Sequence, residues 1–160
     1  PDVEGAICNP NYNRAGCRTP MQWDDGPNAG FSAADPSTLY LPIDPDPRRP
    51  TVSTQEGNPD STLQLVRQLT SLRRSIPALR TQSSIRTLHA GYPFVYVRGG
   101  THLVVVNPRH QPAEFTAAEI DGATPLLANG IGITGDTAVA DGFAYGIYAL
   151  HEVAAATCPG

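Results

Sequence analysis

Residues 94–107 read Phe94-Val95-Tyr96-Val97-Arg98-Gly99-Gly100-Thr101-His102-Leu103-Val104-Val105-Val106-Asn107. Two runs of aromatic and β-branched residues flank a Gly-Gly pair. Such side chains suit a pleated, half-buried surface, and paired glycines supply the positive φ that a tight turn demands. The stretch predicts a hairpin with a two-residue turn at Gly99-Gly100. Outward from it, period-two patterning recurs at Ile85–Leu88, Ala113–Thr116 and Phe143–Leu150, with weaker strands at Thr124–Leu127 and Thr137–Val139. Short strands separated by turns predict an antiparallel β-sandwich over residues 81–160. Its core is expected to hold Val95, Val97, Leu103, Val105, Ile147 and the sheet-facing aromatics.

Upstream of the strands the period changes. Leu65, Leu69, Leu72 and Ile76 fall on one helical stripe, widened by Leu63 and Val66. Asn58 is placed as N-cap and Pro59 as the first helical residue, and Pro77 ends the helix. So broad an apolar stripe needs a partner surface. Residues 1–57 show no sustained periodicity and carry turn signals throughout, among them Asp25-Gly26-Pro27-Asn28 and Pro42, Pro45, Pro47 and Pro50. Structureless stretches beyond about 15 residues are uncommon in compact domains unless they serve a function. Met21, Trp23, Phe31, Tyr40, Leu41 and Ile43 argue against disorder. The segment reads as a long loop built to pack on a surface outside this chain.

Composition narrows the chemistry. The chain has 160 residues, 40% hydrophobic and 16% charged, with 15 Gly and 16 Pro. All 11 basic residues are Arg, which excludes a Lys Schiff base, a Lys nucleophile and a Walker A loop within the chain. With a net charge of −4 and no basic cluster larger than a pair, no nucleic-acid partner is expected. No apolar run reaches the roughly 18–20 residues of a membrane span, so no membrane partner is expected either. No signal peptide is visible. The chain starts at Pro1, so a processed or truncated protein is expected. Cys8, Cys17 and Cys158 read as free thiols of a cytoplasmic protein, with a Cys8–Cys17 disulfide as the alternative. His89, His102, His110 and His151 are scattered without metal-ligand spacing, and no metal is expected.

Three letter patterns carry less than they first offer. Gly130-Ile131-Gly132-Ile133-Thr134-Gly135 matches a dinucleotide fingerprint, but a strand pattern follows where the fingerprint needs a helix, so these are read as turn glycines and no cofactor is expected. Glu114 and Glu119 read as ordinary surface acids. Asp24, Asp25, Asp44 and Asp46 lack calcium-loop spacing and are read as solvated or capping residues.

Residues 18–24 and 28–32, Arg-Thr-Pro-Met-Gln-Trp-Asp and Asn-Ala-Gly-Phe-Ser, carry a more specific signal. At this spacing they resemble the α-glucosidase-like branch of glycoside hydrolase family 13, the α-amylase superfamily, which includes oligo-1,6-glucosidases, α-glucosidases and trehalose synthases. Tyr40-Leu41-Pro42-Ile43, Gln55, Asn58-Pro59-Asp60-Ser61, Leu72-Arg73-Arg74 and Pro77-Ala78-Leu79 continue the likeness. It covers residues 7–116 well and the remainder by position.

The resemblance implies a fold and an activity. A (β/α)₈ barrel needs about 250 residues, so the chain cannot contain one. Residues 1–80 would be the end of a truncated catalytic barrel, the loop after its last strand plus its final helix. Residues 81–160 would be the C-terminal antiparallel β-sandwich, making the chain mainly β. The implied activity is a retaining glycoside hydrolase acting on terminal α-linked glucose of small oligosaccharides, with transfer of the glucosyl unit as the alternative. The family's catalytic carboxylates lie in upstream motifs absent from this sequence, so no catalytic residue is assigned and the chain alone is expected to be inactive. By resemblance Arg18 contacts substrate at the bottom of the glucose pocket. A planar fork can hold a carboxylate and a sugar hydroxyl together. Trp23 is a candidate for the pocket wall or a loop anchor. The partners implied are an oligosaccharide substrate and the missing N-terminal barrel.

A reading from another class is a non-catalytic carbohydrate-binding β-sandwich. It would use an exposed row among Tyr92, Phe94, Tyr96, Phe143, Tyr145 and Tyr148, and it requires three coplanar exposed rings.

Overall fold

The computed structural model describes residues 18–151, so Cys8, Cys17 and Cys158 lie outside the described residues. The chain divides into two compact units, Pro1–Thr70 and Ser71–Gly160.

In the first unit, Thr51 caps a short helix α1 (Val52–Glu56) through a capping box with Thr54. The sequence reading missed this helix because five residues hold no full apolar period. A second helix, α2 (Thr62–Ser75), whose last turn belongs to the second unit, begins three residues later than the Pro59 start expected. Its cap is Ser61 rather than Asn58. The Ser61 hydroxyl accepts the Gln64 N–H at 3.3 Å and donates to the Gln55 carbonyl at 2.7 Å. Gln55 Oε1 accepts the Leu63 N–H at 3.0 Å, so a side chain of α1 satisfies a second free amide of α2. Asn58 instead closes a turn of its own, accepting the Asp60 N–H at 3.0 Å. No α2 residue is buried, and Val66 and Leu69 of its apolar stripe stay exposed.

In the second unit, the 3₁₀ turn Pro77–Leu79 leads into six strands: β1 (Ile85–His89), β2 (Phe94–Arg98), β3 (His102–Asn107), β4 (Ala113–Thr116), β5 (Thr124–Thr134) and β6 (Thr137–Ala149). Every pairing is antiparallel, as the sequence predicts. The strands form one sheet in the order β1-β2-β3-β6-β4, with β5 along the other side of β6. His89 of β1 stacks on Phe115 of β4 with ring centroids 5.5 Å apart, although these strands stand at opposite ends of that order. The sheet therefore curls until it is nearly closed. The two layers of the expected sandwich are parts of one sheet.

Three details differ from expectation, each for a geometric reason. The β2–β3 turn has three residues, since Arg98 pairs with His102; Gly99 and Gly100 both take positive φ. The two weak strands are parts of the long β5 and β6, whose patterning is broken by bulges at Gly130 and around Gly142. Leu103 pairs with Tyr148, which puts Tyr148 and not Ile147 on the core side. The core comprises Val95, Val97, Leu103, Val105, Ile120, Ala138 and Tyr148. The Tyr148 ring lies across Gly146, where a Cβ would come within 2.5 Å of it, and its hydroxyl donates to the Ile131 carbonyl at 3.1 Å. Burial also raises the Tyr148 pKa.

Candidate functional site

The segment Gln22–Ala34, four residues after Arg18, is held by its own turns. Asn28, Ala29 and Gly30 run consecutively at φ 51°, 53° and 70°. Left-handed backbone suits Asn and Gly; Ala tolerates it only where the surroundings enforce it. Here they do. Ala29 is buried, and its carbonyl accepts the N–H of Trp23 at 2.8 Å and of Asp24 at 3.3 Å. The Asn28 amide donates to the Ser32 and Ala34 carbonyls, both at 2.8 Å. Asp24 accepts the Gly26 N–H at 2.8 Å and packs where a Cβ on Gly30 would sit, 2.6 Å from its Oδ2. This loop is then clipped to α1: the Val52 and Ser53 amides donate to the Gln22 and Trp23 carbonyls, each at 2.9 Å. Two of the unsatisfied amides at the start of α1 are thereby used to position the loop.

Arg18 precedes this segment and is exposed. Trp23 has its backbone fixed on both sides, while its side chain remains half exposed. Met21, Phe31 and Tyr40 are exposed as well. Farther along, a cavity of about 380 Å³ is bounded by Ala29, Leu39, Pro42, Ile43, Asp44 and Arg49. Arg49 donates through one terminal nitrogen to the Asp46 carbonyl at 3.5 Å, whereas its buried Nε and the buried Gln22 Oε1 find no partner among the described residues.

The acids of the region act as turn caps. Asp44 accepts the Asp46 N–H at 3.0 Å. Asp46 accepts the Arg48 backbone and guanidinium, and that guanidinium holds its carboxyl below the usual range; Ser37 does the same for Asp35 through its hydroxyl and N–H. Among the described residues no group of three or more His, Cys, Asp or Glu could hold a metal ion. In the second unit, Glu119 pairs with Arg86 at 3.1 Å. Gly130 sits at the second of two register shifts in β5 and Gly135 in the β5–β6 turn, both at positive φ, so the glycine pattern lies within a hairpin. Of the six rings Tyr92 and Phe143 are exposed, Phe94, Tyr96 and Tyr145 are half-buried and Tyr148 is buried, and Phe94 and Tyr96 are tilted 38° to each other. These rings do not form a flat row.

Residues 5–82 match the family described as Alpha amylase, catalytic domain. The chain is 35% identical over 132 residues to trehalose synthase/amylase TreS of Mycobacterium tuberculosis, covering 74% of this chain and 22% of that protein. Over its matched length the chain resembles proteins of the α-amylase family. It is also 38% identical over 88 residues to a probable oligo-1,6-glucosidase 2 of Bacillus subtilis, covering 54% of this chain and 15% of that one. Among solved structures, the trehalulose synthase MutB of Pseudomonas mesoacidophila MX-45 superposes with a TM-score of 0.72 at 29% identity, over 86% of this chain and 26% of that one. The chain thus spans less than a quarter of the two curated α-amylase-family relatives. No helix among the described residues is long and apolar enough to cross a membrane.

Sequence reasoning did not single out Asn28 or Thr51, nor Gly30 beyond a general turn role, although these hold the loop. Asn-Ala-Gly carried a usable signal, since two of its three residue types tolerate left-handed backbone. Nothing in the sequence marks Ala29 as the third.

Proposed function

We propose that the chain is the C-terminal part of a retaining α-glucosidase-like enzyme acting on terminal α-linked glucose of small oligosaccharides. Residues 1–80 complete a catalytic barrel supplied by chain outside this sequence, and residues 81–160 form the β domain that follows it. The observation that carries this reading is the family-specific stretch Arg18–Ser32, whose part from Gln22 onward is held in one shape by Asn28, Ala29, Asp24 and the start of α1. A pre-shaped loop directly after Arg18 lowers the backbone ordering cost of placing a sugar-binding guanidinium. Two further facts support a missing surface. Among the described residues Gln22 Oε1 and Arg49 Nε are buried without partners, and Met21, Phe31, Val66 and Leu69 remain exposed. Buried polar atoms and large apolar side chains normally find partners.

In the intact enzyme a carboxylate from the barrel attacks the anomeric carbon, and a second carboxylic acid protonates the leaving oxygen. This gives a covalent glucosyl-enzyme, which water then cleaves with the second residue acting as base. Neither carboxylate comes from this chain, so the chain alone is inactive. Arg18 fixes the terminal glucose and pairs with a barrel carboxylate; Trp23 borders the pocket. A second reading, glucosyl transfer in place of hydrolysis, is favoured by the trehalose synthases among the relatives matched over the longest stretches. The two differ only in whether water or a sugar hydroxyl attacks the intermediate. A cytoplasmic location is part of the proposal.

The test is Arg18→Lys in the full-length enzyme, with kcat/KM on a disaccharide and Tm as folding control. Lysine keeps the charge and loses the planar fork. The loss of one charge-assisted hydrogen bond is about 1.5–3 kcal/mol, or roughly one to two decades in kcat/KM. Activity within about twofold of wild type in a folded variant would make Arg18 a structural loop residue.

A further inference from the structure

At the end of the sheet where β3 leaves for β4, three segments converge. Tyr92 lies in the β1–β2 turn, Arg109 and His110 in the β3–β4 loop, and Phe143 in the middle of β6. Tyr92 and Phe143 are 51% and 60% exposed. The Arg109 guanidinium carbon lies 5.4 Å from the Tyr92 ring centroid. The His110 ring meets Phe143 edge-on, with centroids 4.4 Å apart. The two pairs are joined through the backbone, since the Phe143 N–H donates to the Arg109 carbonyl at 2.9 Å.

The backbone here is both fixed and strained. Phe143 sits at φ +57°, a conformation that bulky residues rarely take and that Gly or Asn would hold at lower cost. The neighbouring Gly142 is pressed against the loop, where a Cβ would collide with the His110 carbonyl oxygen. Asn107, fully buried, donates to the Gln111 and Asp141 carbonyls at 2.9 and 2.7 Å and so ties the loop to the kink of β6. A large apolar ring is thus held in solvent, at a strained position, by a clamp that fixes its orientation. Burial does not explain it, because the ring is not buried.

We propose that Tyr92, Arg109, His110 and Phe143 form a surface site for a neutral oligosaccharide. A pyranose ring offers an apolar C–H face, which stacks on an aromatic ring, and a rim of hydroxyls, which need donors and acceptors at the edge of that ring. Each exposed ring here has a polar partner against it: the Arg109 guanidinium lies over one face of the Tyr92 ring, and the His110 ring meets Phe143 edge-on. Arg109 offers a planar set of N–H donors next to Tyr92, and His110 a ring nitrogen next to Phe143. Two such units suit two sugar residues of one chain. The site does not involve Arg18 and stands without the proposed activity; only the choice of an α-glucan as probe rests on that reading.

The test titrates the 160-residue chain with maltoheptaose, followed by chemical-shift changes, with Tm measured in parallel. Tyr92→Ala removes one platform. Phe143→Asn removes the other while placing at φ +57° a residue that accepts it, so this variant is expected to keep or raise Tm. Wild type is expected to bind with a Kd of about 1 mM or below, and each variant to weaken binding at least about tenfold. Ile85→Ala, at an exposed apolar residue of β1 that belongs to neither site, is expected to leave maltoheptaose binding unchanged, which separates binding at this cluster from adventitious contact with exposed apolar side chains. No binding to wild type at about 10 mM maltoheptaose, or equal binding by wild type and both platform variants, would overturn the proposal.

Discussion

Asn107→Asp is expected to be worse for the β domain than Asn107→Ala, although it is the closer match in shape. Asn107 is fully buried at the point where β6 passes from pairing with β4 to pairing with β3. Its NH₂ group faces three carbonyls, those of Gln111 at 2.9 Å, Asp141 at 2.7 Å and Ala140 at 3.4 Å, while its oxygen accepts the Arg109 N–H at 3.3 Å. Alanine removes these bonds and leaves the carbonyls unmatched. At about 1 kcal/mol per bond, the cost is about 2–4 kcal/mol. Aspartate keeps the acceptor for Arg109, but it replaces both donors with a second oxygen aimed at the carbonyls and buries a charge without a cation. The expected cost exceeds that of alanine by about 1–2 kcal/mol near neutral pH.

The difference has a pH signature. The buried carboxyl of the Asn107→Asp variant should titrate well above the unfolded value of about 3.9, because burial and the facing carbonyl oxygens both disfavour the anion. Between that raised pKa and about 3.9 the folded state binds more protons than the unfolded state, so the variant recovers stability relative to wild type as pH falls. Once protonated, the carboxyl offers a single O–H donor, so recovery is partial. The assay is urea unfolding of wild type and both variants by far-UV circular dichroism near pH 7.5 and pH 5, compared at equal m-value. An aspartate variant as stable as wild type, or a deficit equal at both pH values, would refute the account of Asn107 as a donor to three carbonyls.

Two further outcomes are expected. Burial lowers the His102 pKa below its ordinary 6.5, so the folded state favours the neutral ring; His102 contributes stability above pH 6.5 that is lost as pH falls through the lowered pKa. In His102→Gln the part of the pH dependence in that window should vanish, and an unchanged slope would assign it to other groups. The purified chain should not hydrolyse p-nitrophenyl α-glucoside above background, and turnover abolished by Glu114→Gln or Glu119→Gln would mean that this chain carries its own catalytic acid.

What the sequence disclosed depended on the kind of signal each element carries. β2, β3 and β4 were legible to the residue, because alternation writes one face of a strand directly into the sequence. The long β5 and β6 were not. Their bulges at Gly130 and Gly142 shift the alternation, so each strand reads as a weak fragment plus a stronger one or a glycine-rich turn. Side assignment needs a partner as well as a period. Ile147 and Tyr148 have equal claims on the core until the pairing of Leu103 with Tyr148 decides between them. The start of α2 misled for a related reason. Asn58 and Ser61 are both good capping residues, and the choice between them was made by Gln55, whose side chain reaches the Leu63 amide from the end of α1.

The two candidate sites divide along the same line. The Arg18 segment could be noticed because its residues form a family-specific string, yet the string says nothing of how the loop is held; that depends on Ala29 in left-handed backbone and on amides of α1 more than twenty residues away. The Tyr92–Phe143 cluster has no string at all. Its members come from three separate segments, and each alone reads as an ordinary strand or turn residue. What sets the cluster apart is a conflict between levels: Phe143 is a strand former in its own stretch, but the clamp formed by Asn107 and Gly142 puts it at φ +57° with its ring in solvent. Local preference and global fold usually agree, and their disagreements concentrate where a protein gives up stability for function. If strain at Phe143 serves only the turn of β6, Phe143→Asn should raise Tm and leave every binding property of the chain untouched. If it serves presentation of the ring, the same substitution should raise Tm and weaken maltoheptaose binding together. A gain in stability matched by a loss of binding is the outcome that a packing role alone does not produce.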